Sequence, residues 1–236
     1  MRILITAGGT REYIDPVRFI SNASSGKMGY ELALAAAAAG HKVTLITAPL
    51  PSARPRPHRH IAASEAGTNL PLPKGVKTVE VESASEMFEA VKSQFETCDC
   101  LIMAAAVSDY APFKTSRLKI KKREGAITLK LKPTPDILKW AGNHKKRNQL
   151  VIGFALEDKN LRSNAQRKMR QKNLDMVVAN TPAAIGSDNC EVFVKITGKN
   201  WLRIALAPKR MVARRLITLI QSLMPKSSLV SSASNL

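Results

Sequence analysis

Residues 2–10 of the chain read Arg-Ile-Leu-Ile-Thr-Ala-Gly-Gly-Thr, and this stretch decides the fold. Its apolar run, Ile3 to Ile5, has the length of a buried strand, and the small residues after it let backbone approach a ligand closely. A second small-residue segment, 22–29, precedes an alanine-rich helix predicted at Tyr30 to Ala39. A helix N-terminus binds phosphate because its free N–H groups and the positive end of its dipole face the anion. The opening residues therefore predict a nucleotide site at the carboxyl end of a sheet.

This loop does not fit the two commonest nucleotide fingerprints. In a Rossmann G-x-G-x-x-G the glycines follow the strand directly, whereas Gly8 and Gly9 stand alone here, about a dozen residues before the helix signal. The next predicted strand, Lys42 to Thr47, lacks the acidic residue that would hold a ribose hydroxyl. A P-loop lysine is followed by Ser or Thr, but Lys27 is followed by Met28. An NAD(P)-dependent reductase is therefore disfavoured, and glycines that only form turns remain an alternative.

Length and composition limit the class of protein. A chain of 236 residues with 44% hydrophobic residues can bury one sizeable core. The three cysteines, Cys98, Cys100 and Cys190, match no zinc spacing and cannot all pair, which indicates reduced thiols in a cytoplasmic protein. No run approaches the roughly 20 apolar residues of a membrane span, and no leader sequence precedes the first strand. We therefore expect no membrane association.

The formal net charge of +19 makes nucleic acid the first alternative partner. Against it, the basic residues are scattered over many predicted elements and aromatic residues make up only 5% of the chain. The sequence has no RNP signature, zinc finger or aromatic platform for stacked bases. A basic surface that steers phosphorylated small molecules explains the charge more simply, so a nucleic-acid-binding module stays as the alternative.

Predicted strands and helices alternate along the chain, which is typical of a parallel sheet with right-handed crossovers. The fold class is predicted to be α/β: a Rossmann-like, mainly parallel sheet with helices on both faces, a β-arm and a C-terminal β-hairpin. We predict a single domain at 1–224 that contains an irregular excursion at 50–75 and the basic arm at about 114–132. The Ser-rich residues 225–236 are predicted to be a disordered tail.

Small and polar residues collect where the predicted strands end. The alanines at 104–106 leave room for a flat ring, and Asp109 follows where a carboxylate can meet a ribose hydroxyl or Mg²⁺. Phe154 ends another buried strand, where its ring could cover a base. Lys168 and Lys172 lie one helical turn apart on one side of a helix. The alternatives are a turn aspartate, a core phenylalanine and a solvated lysine face.

The basic arm is predicted from two segments with strand-like alternation, 117–123 and 127–132. Lys119 and Lys121 fall on the same face of the first segment. A mobile basic arm beside an anion site can close over a polyphosphate and neutralise charge during transfer. A solvated edge protected by lysines is the alternative.

A series of short blocks, taken in order, resembles phosphopantothenate–cysteine ligase from residue 2 to about residue 206. The blocks are Ile-Thr-Ala-Gly-Gly-Thr-Arg-Glu (5–12), Asp-Pro-Val-Arg-Phe-Ile-Ser-Asn (15–22), Ser-Ser-Gly-Lys-Met-Gly (24–29), Ala-Ala-Val-Ser-Asp-Tyr (105–110), Lys-Ile-Lys-Lys (119–122), Pro-Asp-Ile-Leu (135–138), Gly-Phe-Ala (153–155) and Lys-Asn-Leu-Asp (172–175). Thr134 departs from the asparagine of many relatives. The resemblance implies a free-standing, bacterial-type form with no flavin.

The resemblance implies a reaction that joins 4′-phosphopantothenate to L-cysteine through an acyl-nucleotide in coenzyme A synthesis. It implies CTP rather than ATP as the co-substrate, with Mg²⁺, and a homodimer whose arms help to complete the sites. By position, Asn22 handles the acyl-nucleotide and Lys119 is the catalytic lysine of the arm. The other matched positions contact the nucleotide: Asp109, Pro135, Asp136, Ile137, Leu138, Phe154, Lys168 and Lys172. The loop chemistry adds Gly8, Gly9, Ser24, Ser25, Gly26 and Ala105.

Overall fold

The computed structural model of the protein describes residues 1–49 and 75–224. The predicted excursion at 50–75, apart from Gly75, and the predicted tail at 225–236 lie outside these residues. The helices are α1 (Lys27–Ala38), α2 (Ala84–Phe95), α3 (Ile137–His144), α4 (Leu161–Gln171) and α5 (Lys209–Gln221), with a 3₁₀ turn at Pro182–Ala184. The strands are β1 (Arg2–Ala7), β2 (Arg11–Tyr13), β3 (Phe19–Ser21), β4 (Lys42–Thr47), β5 (Val76–Glu80), β6 (Cys100–Met103), β7 (Tyr110–Pro112), β8 (Leu131–Pro133), β9 (Leu150–Leu156), β10 (Met176–Asn180), β11 (Asn189–Ile196) and β12 (Leu202–Pro208).

An eight-stranded sheet in the order β12-β11-β10-β9-β6-β1-β4-β5 forms the centre of the molecule. The strands from β10 to β5 in that order are parallel, and β11 and β12 add an antiparallel hairpin at one edge. The strand order reverses between β1 and β6, and ligands of open α/β sheets bind outside the carboxyl ends of strands at such a reversal. The predicted Rossmann-like fold class is confirmed.

Helices cover both faces of this sheet, as the fold class requires. Helices α1 and α5 pack on one face, where buried residues such as Leu32 and Leu216 join one core cluster. Helices α2, α3 and α4 pack on the other face around residues such as Val91 and Met169. Ser83 caps the start of α2, because its hydroxyl oxygen accepts a hydrogen bond from the Glu86 N–H at 3.1 Å, and the Glu86 carboxylate accepts one from the Glu82 N–H at 2.9 Å. Each face therefore has its own core, and the carboxyl edge of the sheet lies open between them.

Glycine lets α1 begin directly above the end of β1. A Cβ atom at Gly29 would lie 2.5 Å from the Cβ of Ala7, so any larger residue would push α1 away from the strand. At the same end of β1, Gly8 has a φ of 82° and approaches the Ala48 carbonyl. The N-terminus of α1 is thereby fixed beside the carboxyl ends of β1 and β6.

The predicted basic arm is present, but its strands are only partly as predicted: 117–123 has no strand, and 127–132 overlaps β8 only at residues 131–132. The hairpin stem is formed by β7 and β8, and residues 113–130 between them have no strand. The apolar side chains that produced the alternation, such as Leu118 and Ile127, are 79% and 67% exposed because no sheet neighbour covers them. Helix α3 and the β2–β3 hairpin did not emerge from the sequence patterns. An Asp136 cap before the apolar residues Ile137, Leu138 and Ala141 was the available signal for α3.

Candidate active site

A cleft of about 710 Å³ opens along the carboxyl edge of the sheet, beside the reversal of strand order. The predicted site residues that line it are Asn22, Ser24, Ser25, Gly26, Ala105, Asp109, Pro135, Asp136, Ile137, Leu138, Phe154, Lys168 and Lys172. Gly8, Gly9 and Lys119 are not among the lining residues. Lining residues that the sequence patterns did not indicate include Asn180, Ile185 and Lys209. The cleft therefore gathers segments that are far apart in the chain.

The loop before α1 forms one end of the cleft. The side chain of Asn22 donates hydrogen bonds to the carbonyls of Ala106 at 3.2 Å and Val107 at 3.1 Å. These bonds join the loop to the segment that follows β6. The backbone of Gly9 packs closely against the same loop, since a Cβ at Gly9 would lie 2.9 Å from the Asn22 carbonyl oxygen. Gly9 thus acts on the cleft through the loop.

The N-terminus of α1 is open for an anion. Gly26, its N-cap residue, has a φ of 69° and makes no side-chain cap, and no other described side chain accepts a hydrogen bond from the first-turn N–H groups. The first turn also carries no acidic residue, so no negative charge of the helix competes with a ligand. Ser24 accepts a hydrogen bond from the Gly26 N–H at 3.2 Å and shapes the turn. Uncapped N–H groups and the positive helix dipole favour a phosphate here.

Helices α3 and α4 supply the opposite wall with two lysines. Lys168 donates to the Phe154 carbonyl at 2.7 Å, so the ammonium group lies beside the predicted base-covering residue. Burial, together with the charge of Lys172, lowers the pKa of Lys168. Lys172 pairs with Asp136 at 2.8 Å. Although burial opposes ionisation, the hydrogen bond from Lys172 lowers the pKa of Asp136.

Tight packing fixes the position of Lys172. A Cβ at Gly142 of α3 would lie only 1.8 Å from the Lys172 carbonyl oxygen, so the helix and the end of α4 touch through backbone. The neighbouring Asn173 side chain donates to the Gly142 carbonyl at 2.8 Å. The Lys172 and Asp136 pair is therefore held by main-chain contact on one side.

Asp109 lies exposed at the mouth of the cleft. Its contact with a ligand stays a prediction. Its backbone is anchored by Thr134, whose N–H donates to the Asp109 carbonyl at 2.9 Å. The Thr134 hydroxyl donates to the Ser108 carbonyl at 2.6 Å. The residue that departs from the family pattern thus makes a hydrogen bond that holds the mouth of the cleft.

The arm that carries Lys119 is fastened to the β2–β3 hairpin by a buried carboxylate. Asp15 is fully buried and accepts hydrogen bonds from the N–H groups of Val17, at 2.9 Å, and Ile120, at 3.1 Å. Arg18 pairs with Asp15 at 2.5 Å and donates to the Ile120 carbonyl at 2.6 Å. The N–H and the carbonyl of Ile120, the residue after Lys119, are therefore both bonded by the Asp15 and Arg18 ion pair.

These contacts decide the charge state of Asp15. Burial opposes ionisation, but the N–H groups of Val17 and Ile120 and the guanidinium of Arg18 lower the pKa of Asp15 far below its usual range. Lys119 itself is exposed. The arm is thus bonded to the β2–β3 hairpin at Ile120. The catalytic role of Lys119 remains a prediction.

Comparisons with known proteins give a consistent result. The sequence model of the DNA/pantothenate metabolism flavoprotein C-terminal domain family matches residues 1–224. The chain is 43% identical over 186 residues to the coenzyme A biosynthesis bifunctional protein CoaBC of Bacillus subtilis (strain 168), covering 78% of this chain and 41% of that protein. It is 40% identical over 227 residues to a protein of an unknown prokaryotic organism named cysteine/cysteine sulfinic acid decarboxylase, covering 93% and 58%. The chain thus spans about half the length of these curated relatives.

A solved structure extends the likeness to three dimensions. The crystal structure of the C-terminal domain of CoaBC has a TM-score of 0.75 and 37% identity, and the match covers 94% of each chain. Within residues 1–49 and 75–224, no helix is long and apolar enough to cross a membrane. The three cysteines are free and buried.

Asp15→Asn is expected to lower the free energy of unfolding by about 2 kcal/mol at pH 7, because charge-assisted hydrogen bonds to Arg18 and the main chain are lost. A carboxyl with a depressed folded pKa stabilises above its unfolded pKa of about 3.9 and loses that contribution as the pH falls. The difference between the proteins should therefore shrink in urea titrations from pH 7 towards pH 3.

Asp188→Asn is the matched control, because the Asp188 side chain is 79% exposed although it also forms an ion pair. Exposed pairs contribute about 1 kcal/mol or less. An Asp15 effect no larger than the Asp188 effect, or one that is constant over this pH range, would contradict the account of the buried carboxylate.

Proposed function

The chain belongs to the DNA/pantothenate metabolism flavoprotein C-terminal domain family, and from this membership we propose that it is a phosphopantothenate–cysteine ligase of coenzyme A biosynthesis. The observation that carries the proposal is the cleft at the carboxyl edge of the sheet, lined by most of the residues that match the ligase pattern. The coenzyme A biosynthesis protein of Bacillus subtilis and the CoaBC C-terminal domain are the relatives that support it. The substrates are 4′-phosphopantothenate and L-cysteine.

The reaction has two steps. The carboxylate oxygen of 4′-phosphopantothenate attacks the α-phosphorus of a nucleoside triphosphate, and the bond from that phosphorus to the bridging oxygen breaks to release pyrophosphate. The amine of cysteine then attacks the acyl carbon of the acyl-nucleotide, loses a proton and displaces the nucleoside monophosphate. A carboxylate needs this activation because its oxygen is a poor leaving group. Since every species in the first step is anionic, the protein must supply positive charge and fixed hydrogen-bond donors.

The wall formed by α3 and α4 suits the nucleoside. Phe154 and the small alanines that follow β6 both line the cleft, and we propose that a flat base lies between them. Lys168 and the residues Pro135 to Leu138 border the same space. Asp109 is the carboxylate in reach of a ribose hydroxyl at the mouth. Lysine ammonium groups and main-chain groups at this wall can bond the polar edge of a base.

The open N-terminus of α1 suits the phosphoryl groups, because its first turn is uncapped. Asn22 lies at the junction of this loop with Ala106 and Val107, and its amide nitrogen donates to both carbonyls. We propose that one of these N–H groups exchanges its carbonyl for the developing oxyanion during acyl transfer. Lys119 is proposed to reach the cleft when the arm closes or when it is contributed by a second subunit.

We propose that Mg²⁺ binds at this site mainly through the phosphates of the nucleotide. Among the described residues, no group of three His, Cys, Asp or Glu side chains could hold a metal ion. Mg²⁺ is commonly bound by one or two carboxylates together with substrate phosphates, which fits a cleft with Asp109 at its mouth. Bound in this way, the ion would neutralise charge on the triphosphate. We propose no flavin in the reaction, and CTP rather than ATP because Ser24 to Gly29 has the form of the bacterial branch.

We propose that the protein is a cytoplasmic homodimer joined through the arm. Buried free thiols suit a reducing compartment. Several large apolar side chains of the arm and its stem are exposed, which is a common sign of a protein interface. They are Tyr110, Phe113, Leu118, Ile127, Leu129 and Leu131. Since the arm carries Lys119, its burial in a dimer would bring that lysine to a site.

The ligase assay is the direct test of this function. The protein is incubated with 4′-phosphopantothenate, L-cysteine, Mg²⁺ and either CTP or ATP, and the monophosphate and pyrophosphate released are quantified. We expect CMP and phosphopantothenoylcysteine in equal amounts, with AMP formed more slowly. Release of CMP without either substrate, or no product at all, would contradict the function, and equal rates would contradict only the nucleotide preference.

Two variants should separate the two steps. Lys119→Gln is expected to slow acyl-nucleotide formation about a hundredfold or more, because a charge aimed at the transition state is lost. Asn22→Ala should slow the reaction of the intermediate with cysteine, so that the acyl-nucleotide accumulates in rapid-quench experiments. Lys122→Gln is the control, since it removes the same charge from the same arm. Equal rates of acyl-nucleotide formation for Lys119→Gln and Lys122→Gln would contradict the catalytic role of Lys119.

The oligomer is tested by light scattering during size-exclusion chromatography. We expect twice the mass of the chain, and the mass of a single chain for the double variant Leu118→Glu, Ile127→Glu. Leu206→Glu is the control, because Leu206 is 71% exposed but lies on β12 rather than on the arm. A fully active single chain, or a dimer unchanged by the double variant, would contradict the arm interface.

A further inference from the structure

A buried lysine lies in the wall of the cleft that is formed by α5. Lys209 is the first residue of α5, lines the cleft and is only 5% exposed. Its ammonium group donates one hydrogen bond, to the Ala184 carbonyl at 2.9 Å. A lysine ammonium has three N–H donors. The Ala184 carbonyl therefore uses only part of the hydrogen-bonding capacity of the Lys209 ammonium. Because Lys209 also lines the cleft, its remaining N–H groups can bind a ligand there.

Within the described residues, the Lys209 ammonium forms no ion pair, although the charge of Asp188 acts on it from a longer distance. The nearest candidate, Asp188, pairs with Lys27 at 2.5 Å, whereas Lys209 contacts Asp188 through its own N–H, which donates to the Asp188 carbonyl at 2.9 Å. Within the described part of the chain, no carboxylate lies within 4 Å of the Lys209 ammonium. A buried charge without a counter-ion is costly, and lysine is rarely buried unless paired. Burial accordingly lowers the pKa of Lys209.

The position of Lys209 associates it with one end of the cleft. Asp188 is bound both by Lys209 and by Lys27, the first residue of α1, so Lys209 lies on the same side as the uncapped helix N-terminus. Lys168 and Lys172 belong to the other side, because α4 packs on the opposite face of the sheet from α1 and α5. The cleft therefore has cationic groups at two ends, which suits bound ligands that carry negative charge towards both ends.

We propose that Lys209 binds the two terminal phosphoryl groups of the nucleoside triphosphate, which leave together as pyrophosphate. This inference rests on the proposed ligase function and assigns that site a further residue. The anion supplies a directly bonded counter-charge, which no described carboxylate provides. The ammonium keeps its hydrogen bond to Ala184 while its other donors bind phosphate oxygens. The nucleoside monophosphate portion lies at the α3 and α4 end and does not depend on Lys209.

The test compares ligands that contain or lack the terminal phosphates. Binding of CTP, CMP and inorganic pyrophosphate in the presence of Mg²⁺ is measured by isothermal titration calorimetry for the intact chain and for Lys209→Met. We expect CTP and pyrophosphate affinities to fall on the order of tenfold to a hundredfold, the range for hydrogen bonds to charged groups, with CMP affinity unchanged. Lys42→Met controls for the loss of one charge, since Lys42 is exposed at the amino end of β4.

Three results would overturn the inference: no loss of CTP affinity, an equal loss for CMP and CTP, or the same loss in the Lys42 control. An equal loss would mean that Lys209 only supports the turn at Ala184. Lys209→Gln retains a donor for that carbonyl and allows the same comparison should the methionine variant fail to fold. If the unaltered protein binds neither CTP nor pyrophosphate, the proposed ligase function fails as well, whereas normal binding with an insensitive Lys209→Met defeats this inference alone.

Discussion

The site depends on the close packing of α1 against the end of β1. Because a Cβ at Gly29 would meet that of Ala7 at 2.5 Å, the helix can begin above the strand only with glycine at this position. This contact directs an uncapped N-terminus at the reversal of strand order between β1 and β6. The sheet supplies the rigid floor, and the charged side chains from α3, α4 and α5 are arranged around that single anchor.

The elements that local sequence signals specify were predicted well. Continuous apolar runs gave the buried strands, and β4 has the predicted bounds, Lys42 to Thr47. The start of α2 has a local signal, since the Ser83 side chain accepts from the Glu86 N–H in the first turn. Most predicted site residues line the cleft, because their positions follow strand ends that meet at one edge. The short β2–β3 hairpin gave no comparable signal, since three-residue strands show no periodicity.

Features that depend on distant contacts were not predictable from the sequence. The alternation of Leu118 and Ile120 resembles that of a strand, but the main chain there bonds instead to Asp15, about a hundred residues earlier, and nothing local marks that pair. Lys209 was overlooked because a lysine in the first turn of a basic helix resembles an exposed residue. In the structure its ammonium group bonds the Ala184 carbonyl, a contact between residues 25 positions apart that no local pattern marks.

The β2–β3 hairpin connects the arm to the Asn22 loop. Arg18 and Asp15 grip the arm at Ile120, and the same hairpin continues through β3 into Asn22, which holds the carbonyls of Ala106 and Val107. We therefore expect movement of the arm to be transmitted to the Asn22 loop. In the proposed ligase, whose acyl-nucleotide intermediate would be lost to hydrolysis, this connection would couple opening of the arm to movement of the Asn22 loop.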